Sequence, residues 1–256
     1  VLTRDSAALV TLTDGSQISA RLLIAADGRD SPVRRALNIP VQTIRYGQKA
    51  LAFAVTHDHP HGNISTEVHR SGGPFTLVPL PDRQGQPSSA IVWMERGAEI
   101  ARLAGLPTAA FEAEMTARSA GLYGPLRLVP RRSVWPIISQ IAERFEGERT
   151  ALLAEAAHVV PPIGAQGLNM SLGDLRTLLD LALAAPADLG SRAMLTAYHR
   201  RRWPEVKARV TGIDLLNRTS MLGVPALRDL RAGALNALYS LKPVRHTLMK
   251  AGLGMR

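Results

Sequence analysis

Residues 151–173, ALLAEAAHVVPPIGAQGLNMSLG, constrain this chain more than any other stretch. A short apolar run leads to a lone carboxylate, Glu155, and then to His158 and two prolines. Pro161 and Pro162 fix a rigid, extended entry. Gly164 and Gly167 then remove side chains where something must approach the backbone closely. A helix beginning at this point presents free N–H groups and a partial positive charge. Such an end suits a phosphate or an anionic ring edge, although an ordinary tight turn meets the same spacing. Within the helix, Leu168, Leu172, Leu175, Leu179 and Ala182 fall on one face at helical spacing, as an amphipathic stripe does. Pro186 is expected to end it.

A similar unit lies earlier, in RLLIAADGRDSPVRRALNI at residues 21–39. The apolar run suits a strand buried on both faces. Asp27 and Gly28 form a turn, and a short helix follows with Ser31 as N-cap and Pro32 at its first position. Asp27 is suited to accept a hydroxyl and Arg34 to face a phosphate, while a plain strand-to-helix turn reads the same way. Upstream, Asp14-Gly15 signals a two-residue hairpin turn. Residues 47–96 alternate in short β-like runs, residues 97–120 look helical, and GPLRLVPRRSVWPI returns to strand. Two strand–turn–helix units at 22–37 and 151–184 therefore flank antiparallel β structure. This predicts an α/β nucleotide-binding domain with a β-domain inserted in it. The expected segments are 1–45, 46–140, 141–190, and a helical region at 191–256 of two or three helices, one kinked or started by Pro204.

The chain is 46% hydrophobic and 20% charged over 256 residues, so it is expected to bury a core. It has no Cys, which excludes disulfides and thiolate metal sites and fits a reducing compartment. No apolar run is long enough to span a membrane and no signal peptide is visible. It starts with Val inside an apparent strand, a hint of a missing N-terminal segment. The net charge is +10, and 27 of the 31 basic residues are Arg. Residues 1–191 carry equal numbers of acids and bases, whereas residues 192–256 carry thirteen bases against three acids. That asymmetry points to an anionic partner, a membrane surface or nucleic acid, or equally to a solvated helical face. No nucleic-acid motif accompanies it. His158, alone between a strand end and two prolines, reads as packed and hydrogen-bonded before it reads as catalytic. His57, His59 and His61 in HDHPHG lack a completing carboxylate or Cys cluster, so no metal site is expected. No Gly-x-Ser-x-Gly, Walker loop or zinc spacing occurs.

LLIAADGRDSPVRRALNI resembles the Asp-Gly motif of the flavin-dependent aromatic hydroxylases, the family of para-hydroxybenzoate hydroxylase. ALLAEAAHVVPPIGAQGLNMSLGDLRTLLDL resembles that family's second flavin motif, usually worded Gly-Asp-Ala-Ala-His, then Pro-Pro, Gly-Gln-Gly and Asn before a helix. PPIGAQGLN and YHRRRWPEVKARVTGIDLLNRTSML look most like the ubiquinone-biosynthesis hydroxylases, and the likeness runs over essentially the whole chain. It implies a para-hydroxybenzoate-hydroxylase-like FAD/NAD(P)-binding α/β domain, N-terminally incomplete, with an inserted antiparallel β substrate domain and C-terminal helices. It further implies that Glu155 contacts ribose or ribityl hydroxyls of FAD, and that Pro162 and Gly164 lie along the flavin ring. Gly167, Leu168 and Asn169 would start the helix that supports the flavin's pyrimidine end. Asp27 and Gly28 would lie near the pyrophosphate in a motif linked to pyridine-nucleotide use.

The implied reaction is hydroxylation of an electron-rich ring on a prenylated ubiquinone precursor, with NAD(P)H as electron donor, O₂ as oxygen source and no protein nucleophile. The inserted sheet would form the substrate wall. The implied setting is cytoplasmic, peripheral on the inner membrane through the basic C-terminal quarter, within a biosynthetic complex or homo-oligomer. Rival readings are a geranylgeranyl-reductase-like or halogenase-like flavoprotein, and a flavin-free scaffold or lipid-binding partner. Two departures from the pattern stand out. The opening Gly-x-Gly-x-x-Gly strand, which holds the ADP half of FAD, is missing, so weak FAD binding is expected of this chain alone. Ala154-Glu155 replaces the usual Gly-Asp: Glu keeps the acceptor with one more methylene, and Ala adds a Cβ where the family has none.

Overall fold

A computed structural model describes residues 1–70 and 72–221, together with Ser240. The described residues divide into two compact units, one of residues 1–44 and 138–215, the other of residues 45–137 and 216–221.

The first unit opens with an antiparallel sheet of β1 (Leu2–Thr3), β2 (Ala8–Thr11) and β3 (Gln17–Ala20). Asp14-Gly15 lies between β2 and β3 as expected, but the connection is longer than two residues, because Thr11 pairs with Gln17. Asp14 Oδ1 accepts from the Ser16 N–H at 2.9 Å and its hydroxyl at 2.6 Å, and Gly15 adopts φ +84. An Asx turn thus replaces the tight primed turn.

A second sheet runs in the order β10 (Glu146–Gly147), β11 (Thr150–Leu152), β4 (Leu23–Ala25). β11 and β4 are parallel, with Ala151 opposite Ile24. β11 is buried throughout. β4 is not buried on both faces as its sequence suggested, since Ile24 is 47% exposed. Among the described residues it forms the sheet's edge, with a strand neighbour on one flank.

Helix α1 (Pro32–Ala36) follows β4, and Ser31 Oγ caps it by accepting from Arg34 N at 2.9 Å. Helix α4 follows β11, after helices α2 (Gly97–Ala104) and α3 (Thr108–Arg118) of the second unit, and spans Gln166–Ala184. α5 (Arg192–Ser220) is one continuous helix with Pro204 inside it, so that proline does not start a helix. Further helices expected beyond residue 221 lie outside the described residues.

The core of this unit gathers Leu152, Phe145, Met170, Leu178, Leu195, Tyr198 and Val206 around β11, α4 and α5. Buried Tyr198 donates its hydroxyl to the Leu152 carbonyl at 2.9 Å.

The second unit is built on long strands. β5 (Val41–Thr56), β6 (Thr66–Arg70), β7 (Gly73–Arg83), β8 (Gln86–Arg96) and β9 (Arg127–Ala142) lie in the order β9-β5-β8-β7-β6. Period-two alternation puts Leu51, Phe53, Val55, Phe75, Leu77, Ile91 and Trp93 on one face. That face packs on α2 (Gly97–Ala104) and α3 (Thr108–Arg118) through Ile100, Leu103, Phe111 and Met115. Phe53 meets Phe111 edge-on at 5.1 Å, and Phe75 meets Trp93 at 5.3 Å, geometries that add to area burial.

The stripe read from the sequence of α4 does not face the core of the first unit. Leu168, Leu172, Leu175 and Leu179 are 50–69% exposed, whereas Met170, Asp174 and Leu178 are buried. The helix turns its second row inward because Asp174 has buried partners there, described below. Replacing Leu172 and Leu179 together by Gln is expected to change stability by no more than about 0.5 kcal/mol, as at other exposed sites. The same change should lower binding of a hydrophobic dye such as ANS. A loss of several kcal/mol on urea denaturation would contradict the exposure of this face.

Candidate functional site

The carboxyl ends of the parallel strands β4 and β11 are where ligands bind in α/β sheets. Two loops leave these ends side by side. After β4 come Asp27, Gly28 and Arg29; after β11 comes a 3-10 turn over Ala154–Ala156 that carries Glu155. Arg29 Nε lies 3.6 Å from Glu155 Oε2, with both groups partly open to solvent.

Behind this pair, Arg34 is only 4% exposed and ties the loops together. Its Nη1 donates to the Ala156 carbonyl and its Nη2 to the Arg29 carbonyl, each at 2.7 Å. The guanidinium is thus turned inward onto backbone carbonyls rather than outward toward a phosphate. Asp27 is exposed, and its Oδ2 accepts from Val33 N at 3.1 Å, adding a second cap to α1. Gly28 adopts φ +88, and nothing lies within 4 Å of where a Cβ would stand.

The chain then runs through Pro161 and half-buried Pro162 to Gly164 and the start of α4. Glu155, Gly164, Gly167, Leu168 and Asn169 are all exposed along one stretch of the first unit. The N-cap residue Ala165 makes no side-chain hydrogen bond to the helix, so the first N–H groups of this 19-residue helix have no side-chain cap. A Cβ on Gly167 would meet only Val160, at 4.0 Å. An uncapped helix start with open space over two glycines fits the edge of an anionic ring.

Beneath the exposed residues lies a buried polar cluster. Asp174 is fully buried; its Oδ2 accepts from His158 Nε2 at 2.7 Å and from Ala154 N at 3.2 Å. Its Oδ1 accepts from Arg202 Nε at 2.9 Å. Arg202 also donates to the Met170 carbonyl at 3.1 Å and to Glu205 at 2.6 Å. His158 is accordingly a packed, hydrogen-bonded histidine. Of the basic residues counted in the last quarter, Arg202 is an internal strut rather than a surface charge.

His57, in the second unit, is likewise occupied. Its Nδ1 lies 2.9 Å from the His59 carbonyl oxygen, its Nε2 lies 2.9 Å from Ser89 Oγ, and its ring stacks on Tyr123. Burial holds its pKa below the ordinary histidine value. Among the described residues no group of three or more His, Cys, Asp or Glu is disposed to hold a metal.

The site residues that sequence reasoning missed are Arg29, Asp174 and Arg202. The available signal for two of them was an acid at helical spacing between Met170 and Leu178, beside a mid-helix glycine, Gly173. Arg29 carried no signal of its own, because its partner Glu155 is far away in sequence.

Residues 4–212 match the FAD binding domain family. The chain belongs to that family. That family's cofactor is FAD, and the curated proteins similar to this chain include ubiquinone-biosynthesis hydroxylases. Ubiquinone hydroxylase UbiL of Rhodospirillum rubrum is 32% identical over 247 residues, which cover 95% of this chain and 57% of that protein. The mitochondrial ubiquinone biosynthesis monooxygenase COQ6 of Rattus norvegicus is 28% identical over 94% of this chain and 57% of its own length. The chain therefore spans a little over half the length of these curated relatives. The solved structure of p-nitrophenol 4-monooxygenase PnpA from Pseudomonas putida shares the fold, with a TM-score of 0.77 at 20% identity over 99% of this chain and 65% of that one.

Two alanines of the site adopt left-handed backbone conformations, Ala154 at φ +54 and Ala165 at φ +50. A Cβ in that region costs roughly 1–2 kcal/mol. Ala154 stands where the family pattern has Gly. Ala154→Gly is therefore expected to stabilise the chain by about 1 kcal/mol, raising Tm by about 2–4 °C. A calorimetric scan showing a lower Tm would contradict the strain at this residue.

Proposed function

We propose that this chain forms the flavin-ring side of an FAD-dependent monooxygenase that hydroxylates a polyprenylated phenolic precursor of ubiquinone, using NAD(P)H and O₂. The observation that carries the reading is that the Glu155 turn leaves β11 beside the Asp27–Arg29 loop of β4 and is hydrogen-bonded, through Ala154 N and Asp174, to α4, whose start is uncapped and glycine-lined. When bound, FAD supplies hydride acceptance and oxygen activation, chemistry that no side chain here has to perform.

The residues have the following roles. Glu155 accepts from sugar hydroxyls, with Arg29 holding its carboxylate in place. The N–H groups at Gly167–Asn169 stabilise negative charge at the ring's pyrimidine end through the helix dipole. Pro162 and Gly164 flank the ring. Asp27 and Gly28 lie toward the pyrophosphate, and Arg34 supports both loops from behind.

In the second unit, the sheet face opposite the aromatic core carries small, partly open side chains. Ala52 pairs with Val92 and Ala54 with Ala90 across β5 and β8, and Thr76 and Val78 continue the rows on β7. We assign this flat apolar face as the wall for the phenolic ring and its prenyl chain. The leucine face of α4 and the outer edge of β4, which pairs with no other strand among the described residues, are where we place a segment carrying the dinucleotide-binding glycine loop. Their exposure and the greater length of the relatives support that assignment.

The test is turnover. A flavin-loaded preparation should oxidise NAD(P)H faster when a prenylated phenol is added, with one oxygen atom from ¹⁸O₂ entering the ring. Phenol-independent oxidation with no labelled product would contradict the reading. Glu155→Ala should weaken FAD binding about tenfold, the equivalent of one charge-assisted hydrogen bond.

Among the described residues no helix is long and apolar enough to cross a membrane. On α5, exposed Arg192, Arg200 and Arg201 border a shallow surface with Ala193 and Thr196. We assign it to anionic lipid headgroups. Flotation with vesicles containing phosphatidylglycerol should exceed that with neutral vesicles, and Arg200→Gln/Arg201→Gln should reduce the difference. Equal flotation with both vesicle types would exclude the contact.

A further inference from the structure

We infer that Asp174 is the positioning residue of this site: a buried carboxylate that never reaches ligand but fixes Glu155 and the start of α4 to one another. The inference rests on the flavin reading above and adds a residue to which that reading gives no role.

The geometry is specific. One oxygen of Asp174 binds both ends of the turn that carries Glu155: the Ala154 N–H at its beginning and the His158 ring just beyond its end. Glu155 therefore projects from a short loop pinned at both sides by a single atom. Asp174 itself is on α4, whose N-terminal residues are the other half of the site. The carboxylate thus links the sugar-binding acid to the ring-binding helix end by one rigid path. Its second oxygen is held by Arg202 of α5, which also grips the Met170 carbonyl on the same helix. All three side chains, Asp174, His158 and Arg202, are at least 95% buried, so water cannot replace a lost partner without opening the core.

Gly173 supplies an independent observation. A glycine in mid-helix is unfavourable relative to alanine, yet here a Cβ would stand 2.9 Å from Arg202 Nη2 and 3.2 Å from its Cζ. The guanidinium lies flat against the helix at this glycine, and it cannot shift without leaving Asp174, Met170 or Glu205. The glycine is thus explained by the clamp rather than by a turn.

The experiment compares Asp174→Asn, Gly173→Ala, His158→Gln and Tyr198→Phe with the parent chain, all at a temperature where each is folded. Tyr198→Phe removes a buried hydrogen bond in the same core without touching the turn, and so reports a purely structural loss. Hydrogen exchange is read at the amides of residues 154–158 and 166–169, and FAD affinity by flavin fluorescence. Asp174→Asn and Gly173→Ala are expected to speed exchange at both segments while β11 stays protected, and to weaken FAD binding about tenfold, as loss of a supporting shell does. His158→Gln keeps a side-chain N–H donor and should stay within about threefold of the parent. Tyr198→Phe should leave both readouts near the parent's.

The inference is overturned if Asp174→Asn exchanges as slowly as the parent at residues 154–158. It is also overturned if Tyr198→Phe loosens the turn or weakens FAD equally. If the parent binds no FAD, the flavin reading falls, and the exchange rates still decide whether Asp174 holds the turn.

Discussion

The buried ion cluster around Asp174 is the interaction on which the first unit depends. A carboxylate removed from water is costly unless charges and hydrogen bonds compensate it. Here His158, Arg202 and a backbone N–H do so, and each comes from a different stretch of chain: the segment after β11, α5, and the turn that carries Glu155. Removing one partner of a buried ion pair such as Asp174–Arg202 costs about 3–5 kcal/mol, because the remaining charge is left buried without compensation. The cluster therefore specifies which face of α4 packs inward more strongly than its leucines do. Five of those leucines remain half or more exposed as a consequence.

The division of labour in the site follows from the same principle. Charges that hold the framework are inside: Asp174, Arg202 and Arg34, each bound to backbone or to one another. Groups suited to meet a ligand are outside: Glu155, Arg29 and the first N–H groups of α4. Two alanines held at positive φ border these outer groups. Strain of that kind persists where surrounding contacts over-determine the backbone, and the bonds of Asp174 and Arg34 to the Ala154–Ala156 turn are such contacts.

Local chemistry made much of this legible in the sequence. Ser31 before Pro32 gave the cap of α1, alternation gave the antiparallel strands, and the order of the two motifs gave the family. What the sequence hid was tertiary. The two apolar rows of α4 look alike until Arg202 and His158 are known to lie beside one of them. Arg34 read as a phosphate ligand because its burial depends on the Ala156 carbonyl, more than a hundred residues away. Arg29 could be recognised only with Glu155 beside it. β5 and β9, at sixteen residues each, outran the short strands read from their turn residues.

The central claim is that flavin is held at the Glu155 turn and the glycine-lined start of α4. Backbone amide shifts of the ¹⁵N-labelled chain, followed as FAD is added, test it most directly. The account expects the largest changes at Gly28, Arg29, Glu155 and residues 164–169, saturating together. Changes confined to other surfaces, or none at millimolar FAD, would contradict it.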